Sequence, residues 1–207
     1  MWAPEIHFVD NRYIVYFTAR QKITCKLCVG AAVSYSPVGP YKDIGKPLVD
    51  NNDPVIGVID GHHFYDRDGT PYLLWKTDDN SVSQDSSIFI REINQDGLSF
   101  DNSTVTTKLL TASYDWEKDI VEGPWLIHRN NFYYLFYSTF YYSYDIGYGV
   151  GVARSKDLLG PYDKFHKLIL HTDFDTYANG ENTTFISPGH CSVVEVRYSY
   201  SQEGRNS

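Results

Sequence analysis

Two acidic residues open apolar segments of the chain. Asp60 precedes Gly61 in "VIDGHHFYD", and Glu122 precedes Gly123 in "IVEGPWLIH", 62 residues later. Two carboxyl groups that share a water-poor pocket repel each other, so at least one of them keeps its proton at neutral pH. A protonated carboxyl beside an ionised one suits general acid catalysis, in particular the hydrolysis of a glycosidic bond. Asp60 and Glu122 are therefore the predicted catalytic residues.

Aromatic and polar side chains close to these acids fit a sugar pocket. Trp2, Trp125 and nearby tyrosines are predicted to stack on sugar faces, while polar groups bind the hydroxyls. His62 and His63 point to opposite faces of one strand, so one of them, assigned here as His62, is expected to line the pocket. The tyrosines of residues 133–144 are expected mainly to pack, with one or two reaching the sugar.

An internal repeat places the two acids on comparable strands. The segments "VGAAVSYSPVGPY" (29–41) and "VGVARSKDLLGPY" (150–162) agree at 7 of 13 positions. Units of about 60 residues start near residues 2, 59 and 121, with a fourth start near 187, and each divides into short strands at Gly, Pro, Asn and Asp. A repeat of some four strands at this period predicts the blades of a β-propeller better than a sandwich or a β-helix. Asp60 and Glu122 would then open the inner strands of adjacent blades at equivalent positions.

Composition supports the sheet assignment and narrows the partners. The 207 residues include 18 Tyr, 11 Phe, 4 Trp and one Met, a balance that favours strands. The net charge of −8 and the lack of a Lys/Arg cluster argue against nucleic acid, and no apolar run is long enough to span a membrane. Cys25, Cys28 and Cys191 are expected to be free thiols or one disulfide with a third Cys free, since a single CxxC is weak evidence for zinc.

Five motifs, in this order and spacing, resemble one enzyme family. They are "WAPEI", "IDGHHFYDRDG", "VEGPWLI", "GPY" and "PGHCSVV", and they are similar to those of the five-bladed propeller enzymes of glycoside hydrolase family 43. That family cleaves arabinose and xylose linkages of plant polysaccharides with inversion. The resemblance implies that Glu122 is the general acid and that Asp60 raises its pKa and orients it. It also implies that Trp2 borders the sugar pocket and that His190, which we also assign to substrate binding, is an axial histidine facing calcium or water.

The chain departs from the family pattern at both ends. The family's catalytic base is an Asp some tens of residues before the "WAPE" segment, and no residue of this chain matches it. Five units of about 60 residues would need roughly 300 residues, whereas 207 supply about three and a half blades. We therefore expect residues 1–207 to be one partial catalytic propeller domain of the all-β class, without the first blade, with an incomplete last blade and with a polar tail at 196–207.

The resulting expectation is a glycosidase of the α-L-arabinofuranosidase or β-xylosidase type whose chain lacks the base. Its partner would be an oligosaccharide or polysaccharide, and the full-length protein would be extracellular. The reaction itself is expected to need no cofactor, and a Ca²⁺ ion near His190 is the candidate metal. A non-catalytic carbohydrate-binding propeller is the alternative.

Overall fold

Strands dominate the computed structural model, which describes residues 1–51, 53, 55–143, 147–172 and 186–195. The predicted tail at 196–207 lies outside these residues. The strands of the described part are β1 (Trp2–Val9), β2 (Arg12–Arg20), β3 (Leu27–Ser34), β4 (Lys42–Asp43), β5 (Val58–Tyr65), β6 (Pro71–Thr77), β7 (Ser87–Glu92), β8 (Thr107–Thr111), β9 (Glu122–Arg129), β10 (Phe132–Thr139), β11 (Gly149–Ser155) and β12 (Asp163–Lys164). Short 3₁₀ turns cover Asp79–Val82 and Asp115–Glu117.

These strands form three antiparallel sheets of four, each in chain order: β1 to β4, β5 to β8, and β9 to β12. We call them blades 1, 2 and 3. Strands joined by short polar turns pair with their chain neighbours, which is how a propeller blade is built. The predicted repeat of four-stranded units and the all-β class are thereby confirmed.

The Gly-Pro-Tyr segments show that the sequence repeat is also a structural repeat. In blade 1 the Tyr41 hydroxyl donates to the carbonyl oxygen of Pro37 at 3.0 Å, and in blade 3 the Tyr162 hydroxyl donates to that of Leu158 at 3.0 Å. Each tyrosine thus binds the backbone four residues earlier. The matching residue types therefore preserve one turn geometry in both blades.

Blade 2 is buried on both faces because it lies between the other two. Side chains of neighbouring residues on a strand point to opposite faces, and in β6 Leu73 packs into the core shared with blade 1 while Leu74 packs into the core shared with blade 3. Both are fully buried. The continuous apolar run "YLLW" in β6 follows from this two-sided burial.

The inner strands of the three blades open with the same β-bulge. In β1, β5 and β9, one extra residue is inserted relative to the paired strand. The residues at the bulge are Ala3, Asp60 and Gly123, with φ values of 44°, 59° and 54°. A bulge whose first residue has a left-handed backbone bends the strand and redirects its side chains.

This register corrects one prediction. Asp60 corresponds to Gly123, whereas Glu122 corresponds to Ile59, which pairs with Lys76 as Glu122 pairs with Ser138. The two acids are therefore one position apart in the repeat and are not equivalent. They approach a common region because the bulge turns successive side chains toward it.

Two smaller features complete the fold. The three cysteines are free thiols, with Cys28 buried and Cys25 exposed. Within the described ranges, helices are too short to cross a bilayer.

Candidate active site

A cleft of about 550 Å³ lies where the inner strands begin. Its described lining carries three carboxyl groups, from Asp60, Asp78 and Glu122. Its aromatic walls are Trp2, Phe140, Tyr141, Tyr142 and Tyr148. The predicted pair of acids and the predicted Trp2 thus meet in one space, and a tyrosine-rich wall joins them. Tyr144 lies outside the described residues.

Glu122 is the first residue of β9 and is 9% exposed. Its Oε2 accepts a hydrogen bond from the Lys76 ammonium group at 3.0 Å, and its Oε1 accepts one from the Tyr148 hydroxyl at 2.6 Å. Lys76 is 1% exposed, so this ion pair lies almost wholly out of water. The carboxyl group is held in one orientation, and each of its oxygens keeps a further lone pair.

Asp60 is 8% exposed and is fixed by its backbone and by its side chain. Its N–H donates to Thr18 Oγ1 of blade 1 at 3.1 Å, and its Oδ2 accepts from the N–H of Gly123 of blade 3 at 2.9 Å. Burial, followed by the negative charge of Glu122, raises the pKa of Asp60 above its ordinary value of 3.8. Asp60 therefore keeps its proton to a higher pH than an ordinary aspartate does.

Two further groups respond to the same environment. Burial and then the charge of Glu122 raise the pKa of Tyr148, so its hydroxyl stays protonated as a hydrogen-bond donor. Burial also raises the pKa of Asp78, whose Oδ1 lies 4.0 Å from the Lys76 ammonium group. Lys76 thus lies between two carboxyl groups of the cleft.

A second, much narrower space of about 50 Å³ lies where the first residues of the inner strands converge, and we call it the axial cavity. Four segments of three residues line it: 3–5, 60–62, 123–125 and 190–192. The His190 N–H donates to Ser138 Oγ, just as the Asp60 N–H donates to Thr18 Oγ1, and His190 has a φ of 50°. His190 therefore occupies the bulge position of the fourth repeat, and it lines both the cleft and the axial cavity.

The structure places His62 and Trp125 at the axial cavity and not among the residues that line the cleft. His62 is 4% exposed and joins all three blades, with Nδ1 at 2.7 Å from Glu5 Oε1 and Nε2 accepting the Leu126 N–H at 3.1 Å. The Trp125 ring packs on His62, and its Nε1 donates to the Val193 carbonyl oxygen. Both side chains help to hold the blades together and also line the axial cavity, and their contact with sugar stays a prediction.

The axial cavity offers a poor set of ligands for calcium. Ca²⁺ takes six to eight oxygen ligands, whereas the described lining supplies the carboxyl groups of Asp60 and Glu5 beside imidazoles. The Glu5 carboxylate is already engaged by His62 and lies 3.3 Å from His7. The side chains of this lining do not complete a calcium shell by themselves, so water or backbone carbonyl oxygens would have to supply the other ligands, and Ca²⁺ near His190 stays a prediction.

Lys76, Asp78 and Tyr148 are site residues that the sequence reasoning missed. The repeat contains a signal for Lys76, because it pairs with Ile59 at the place where Thr18 pairs with Trp2. A lysine in that register, at the end of the apolar run of β6, needs a buried partner. Asp78 follows Lys76 by two residues.

Three four-stranded blades with a buried acid pair in the cleft define a partial β-propeller with a candidate acid site. The chain belongs to the glycosyl hydrolases family 43, whose model matches residues 1–200. The matched relatives of this family are glycosidases that hydrolyse O-glycosyl bonds.

Individual curated relatives share less than 30% of their residues with this chain. The chain is 28% identical to extracellular endo-alpha-(1->5)-L-arabinanase 2 of Bacillus subtilis, covering 93% of this chain and 48% of the relative. It is 27% identical to beta-D-galactofuranosidase xynD of Aspergillus niger, covering 86% and 47%. A crystal structure of a thermostable family-43 glycoside hydrolase matches with a TM-score of 0.78 at 32% identity, covering 92% of this chain and 60% of that one. The chain thus spans about half the length of these curated relatives.

Proposed function

We propose that this chain carries the general-acid half of an inverting glycosidase site that acts on arabinose or xylose linkages of plant polysaccharides. The observation that carries the proposal is the buried pair of Asp60 and Glu122 in the aromatic cleft. Cleavage of a glycosidic bond needs a proton on the leaving oxygen, and a positioned carboxyl group supplies it. An α-L-arabinofuranosidase or β-xylosidase type of activity fits the family of the matched relatives.

Glu122 is the proposed proton donor. Lys76 and Tyr148 fix its orientation toward the cleft, so that a lone pair of either oxygen can carry the proton to the sugar. Asp60 is the proposed positioning acid. Its Oδ2 accepts the N–H of Gly123, directly after Glu122, and in the proposed reacting state the one proton that these two repelling carboxyl groups share lies on Glu122, which donates it to the leaving oxygen.

Activation of water is the other half of the reaction. We propose that residues 1–207 do not themselves supply the general base; without one, hydrolysis is slower by roughly 10²–10⁴-fold. The substrate would lie against Trp2, Tyr141 and Tyr142, since aromatic faces stack on sugar rings. The whole protein is proposed to be extracellular, because relatives from Bacillus subtilis and Thermotoga petrophila are named as extracellular.

Leaving-group dependence tests the acid role. A nitrophenyl glycoside leaves with little need for a proton, whereas a sugar alcohol needs one. We expect Glu122→Gln to lower kcat/KM on arabino- or xylo-oligosaccharides by about 10²–10⁴-fold and on nitrophenyl glycosides by far less. Glu92→Gln, a change of an exposed acid in β7, is the matched control. Equal losses on both substrates, or no loss on either, would rule out Glu122 as the acid.

A carbohydrate-binding propeller without catalysis is the second candidate. The observation that favours it is the Lys76 ion pair, which occupies Glu122 Oε2 in the free site. Isothermal titration with arabino- and xylo-oligosaccharides, followed by chromatography of the same samples, separates the two functions. Heat of binding without any released sugar after long incubation supports the binding function.

A further inference from the structure

A second cluster of acid and imidazole groups lies between blades 1 and 2, apart from the cleft. It consists of Glu5 and His7 in β1 and His62 in β5, whose candidate ligand atoms all lie within 4.8 Å of one another. Glu5 and His7 are alternate residues of one strand, so their side chains point to the same face. That face meets His62, with the His7 and His62 rings 6.0 Å apart.

The hydrogen bonds of His62 settle which of its nitrogens carries the proton. Nε2 accepts the backbone N–H of Leu126, so a neutral ring has its proton on Nδ1. That Nδ1–H donates to Glu5 Oε1 at 2.7 Å. One oxygen of Glu5 is thus fixed by His62, and the other, Oε2, is directed elsewhere.

Glu5 Oε2 and His7 Nε2 face each other at 3.3 Å. Both atoms are buried, and neither makes an aligned hydrogen bond. A carboxylate oxygen and an imidazole nitrogen in this arrangement share either a proton on Nε2 or, when Nε2 is unprotonated, a metal ion, because buried polar atoms without partners are unfavourable. Two ligands of a tetrahedral metal at about 2.0–2.1 Å lie about 3.3 Å apart.

We propose that Glu5 Oε2 and His7 Nε2 bind a divalent transition metal ion, of which Zn²⁺ is the probe. One carboxylate oxygen and one imidazole suit Zn²⁺ better than Ca²⁺ or Mg²⁺, which prefer oxygen ligands only. His62 orients the carboxylate through its Nδ1–H, a role that partners of metal ligands commonly play. Water fills the remaining positions.

The ion can reach this site from solvent. The side chains of Glu5 and His7 are 16% and 22% exposed, so the pair lies just below the surface. A metal there would link neighbouring groups of β1 and, through His62, of blade 2. Its expected effect is on the stability of the inner strands, and the inference does not rest on the proposed glycosidase activity.

Isothermal titration of Zn²⁺ into the full chain tests the proposal. We expect one ion per chain, an affinity more than about 100-fold weaker in Glu5→Gln and in His7→Gln, and one about 10- to 100-fold weaker in His62→Gln. The control His166→Gln changes an exposed imidazole outside the cluster and should bind as the wild type does. Cys25→Ser tests the competing thiol site and should also leave binding unchanged.

A second measurement uses the wild-type chain alone, so its result does not depend on whether the variants fold. In ¹⁵N NMR, the Nε2 resonance of His7 should shift on addition of Zn²⁺, while that of His62 keeps the pattern of a hydrogen-bonded acceptor. Wild-type affinity in folded His7→Gln, loss of binding in Cys25→Ser, or an unchanged His7 resonance at saturating Zn²⁺ would each overturn the proposal. Absence of binding at millimolar Zn²⁺ would leave the pair as a proton-bridged contact and would overturn it as well.

Discussion

The buried contact between Lys76 and Glu122 gives a prediction about stability that can be worked from the structure. Lys76→Met removes an ammonium group that is 1% exposed and lies 3.0 Å from a carboxylate that is 9% exposed. At an effective dielectric constant of about 20, two charges at this distance attract by roughly 5 kcal/mol. Removing one partner leaves the other charge buried.

We expect Lys76→Met to lower the free energy of unfolding by about 3–5 kcal/mol, and Glu122→Gln to lower it by a similar or smaller amount. Tyr148 still donates to Glu122 in the first variant, and Asp78 remains near Lys76 in the second. The double variant carries no unpaired charge at this position. Its free energy of unfolding should therefore be no lower than that of the less stable single variant.

Urea denaturation at pH 7, followed by tryptophan fluorescence, measures all four proteins of this double-mutant cycle. We expect a coupling free energy of at least about 2 kcal/mol. The exposed pair of Arg129 and Glu195, with side chains 53% and 43% exposed, is the matched control. Its cycle should give less than about 1 kcal/mol. If the losses of unfolding free energy in the two single variants simply add in the double variant, Lys76 and Glu122 do not interact.

Three further predictions concern single residues. The fold raises the pKa of Asp60 above its ordinary value of 3.8, so the free energy of unfolding should fall as the pH rises from 3.8 to the pKa of the folded state. Urea titrations from pH 4 to 8 should show this fall in the wild type and not in Asp60→Asn. Gly123→Ala places a methyl group 2.9 Å from His190 Nδ1 and should lower the free energy of unfolding by more than about 1 kcal/mol. The control is Gly69→Ala, where φ is also positive but the methyl group meets nothing within 4 Å, and it should lose less. Equal shifts of the melting temperature in the two variants would contradict the contact with His190. Glu117→Gln neutralises a fully buried carboxylate that binds a lysine, a tyrosine and two backbone N–H groups, so it should lower the free energy of unfolding by more than about 1 kcal/mol. A smaller loss in chemical denaturation would refute the role of Glu117 in anchoring blade 3.

Local patterns of the sequence predicted the blades well. Apolar and aromatic residues alternate between polar turns, and the Gly-Pro-Tyr segments repeat, so strand type, strand number and unit length can be read from residues close together in the chain. The acids Asp60 and Glu122 were found in the same way, since each stands directly before a glycine at the start of an inner strand. Strand alternation and turn chemistry act over a few residues, and for that reason they are visible without coordinates.

The partners of these residues depended on the tertiary structure. A bulge redirects the side chains of a strand, so Asp60 at the bulge of β5 and Glu122 one position before the bulge of β9 approach a common region. His62 and Trp125, which follow the bulges, make contacts between blades. Lys76 meets Glu122 across 46 residues of chain, and no local pattern records that distance. The sequence by itself determined which strands form and which acids open them, because those features follow from neighbouring residues. Only the packing of blade against blade decided which charges share a low-dielectric space, and hence where protons reside.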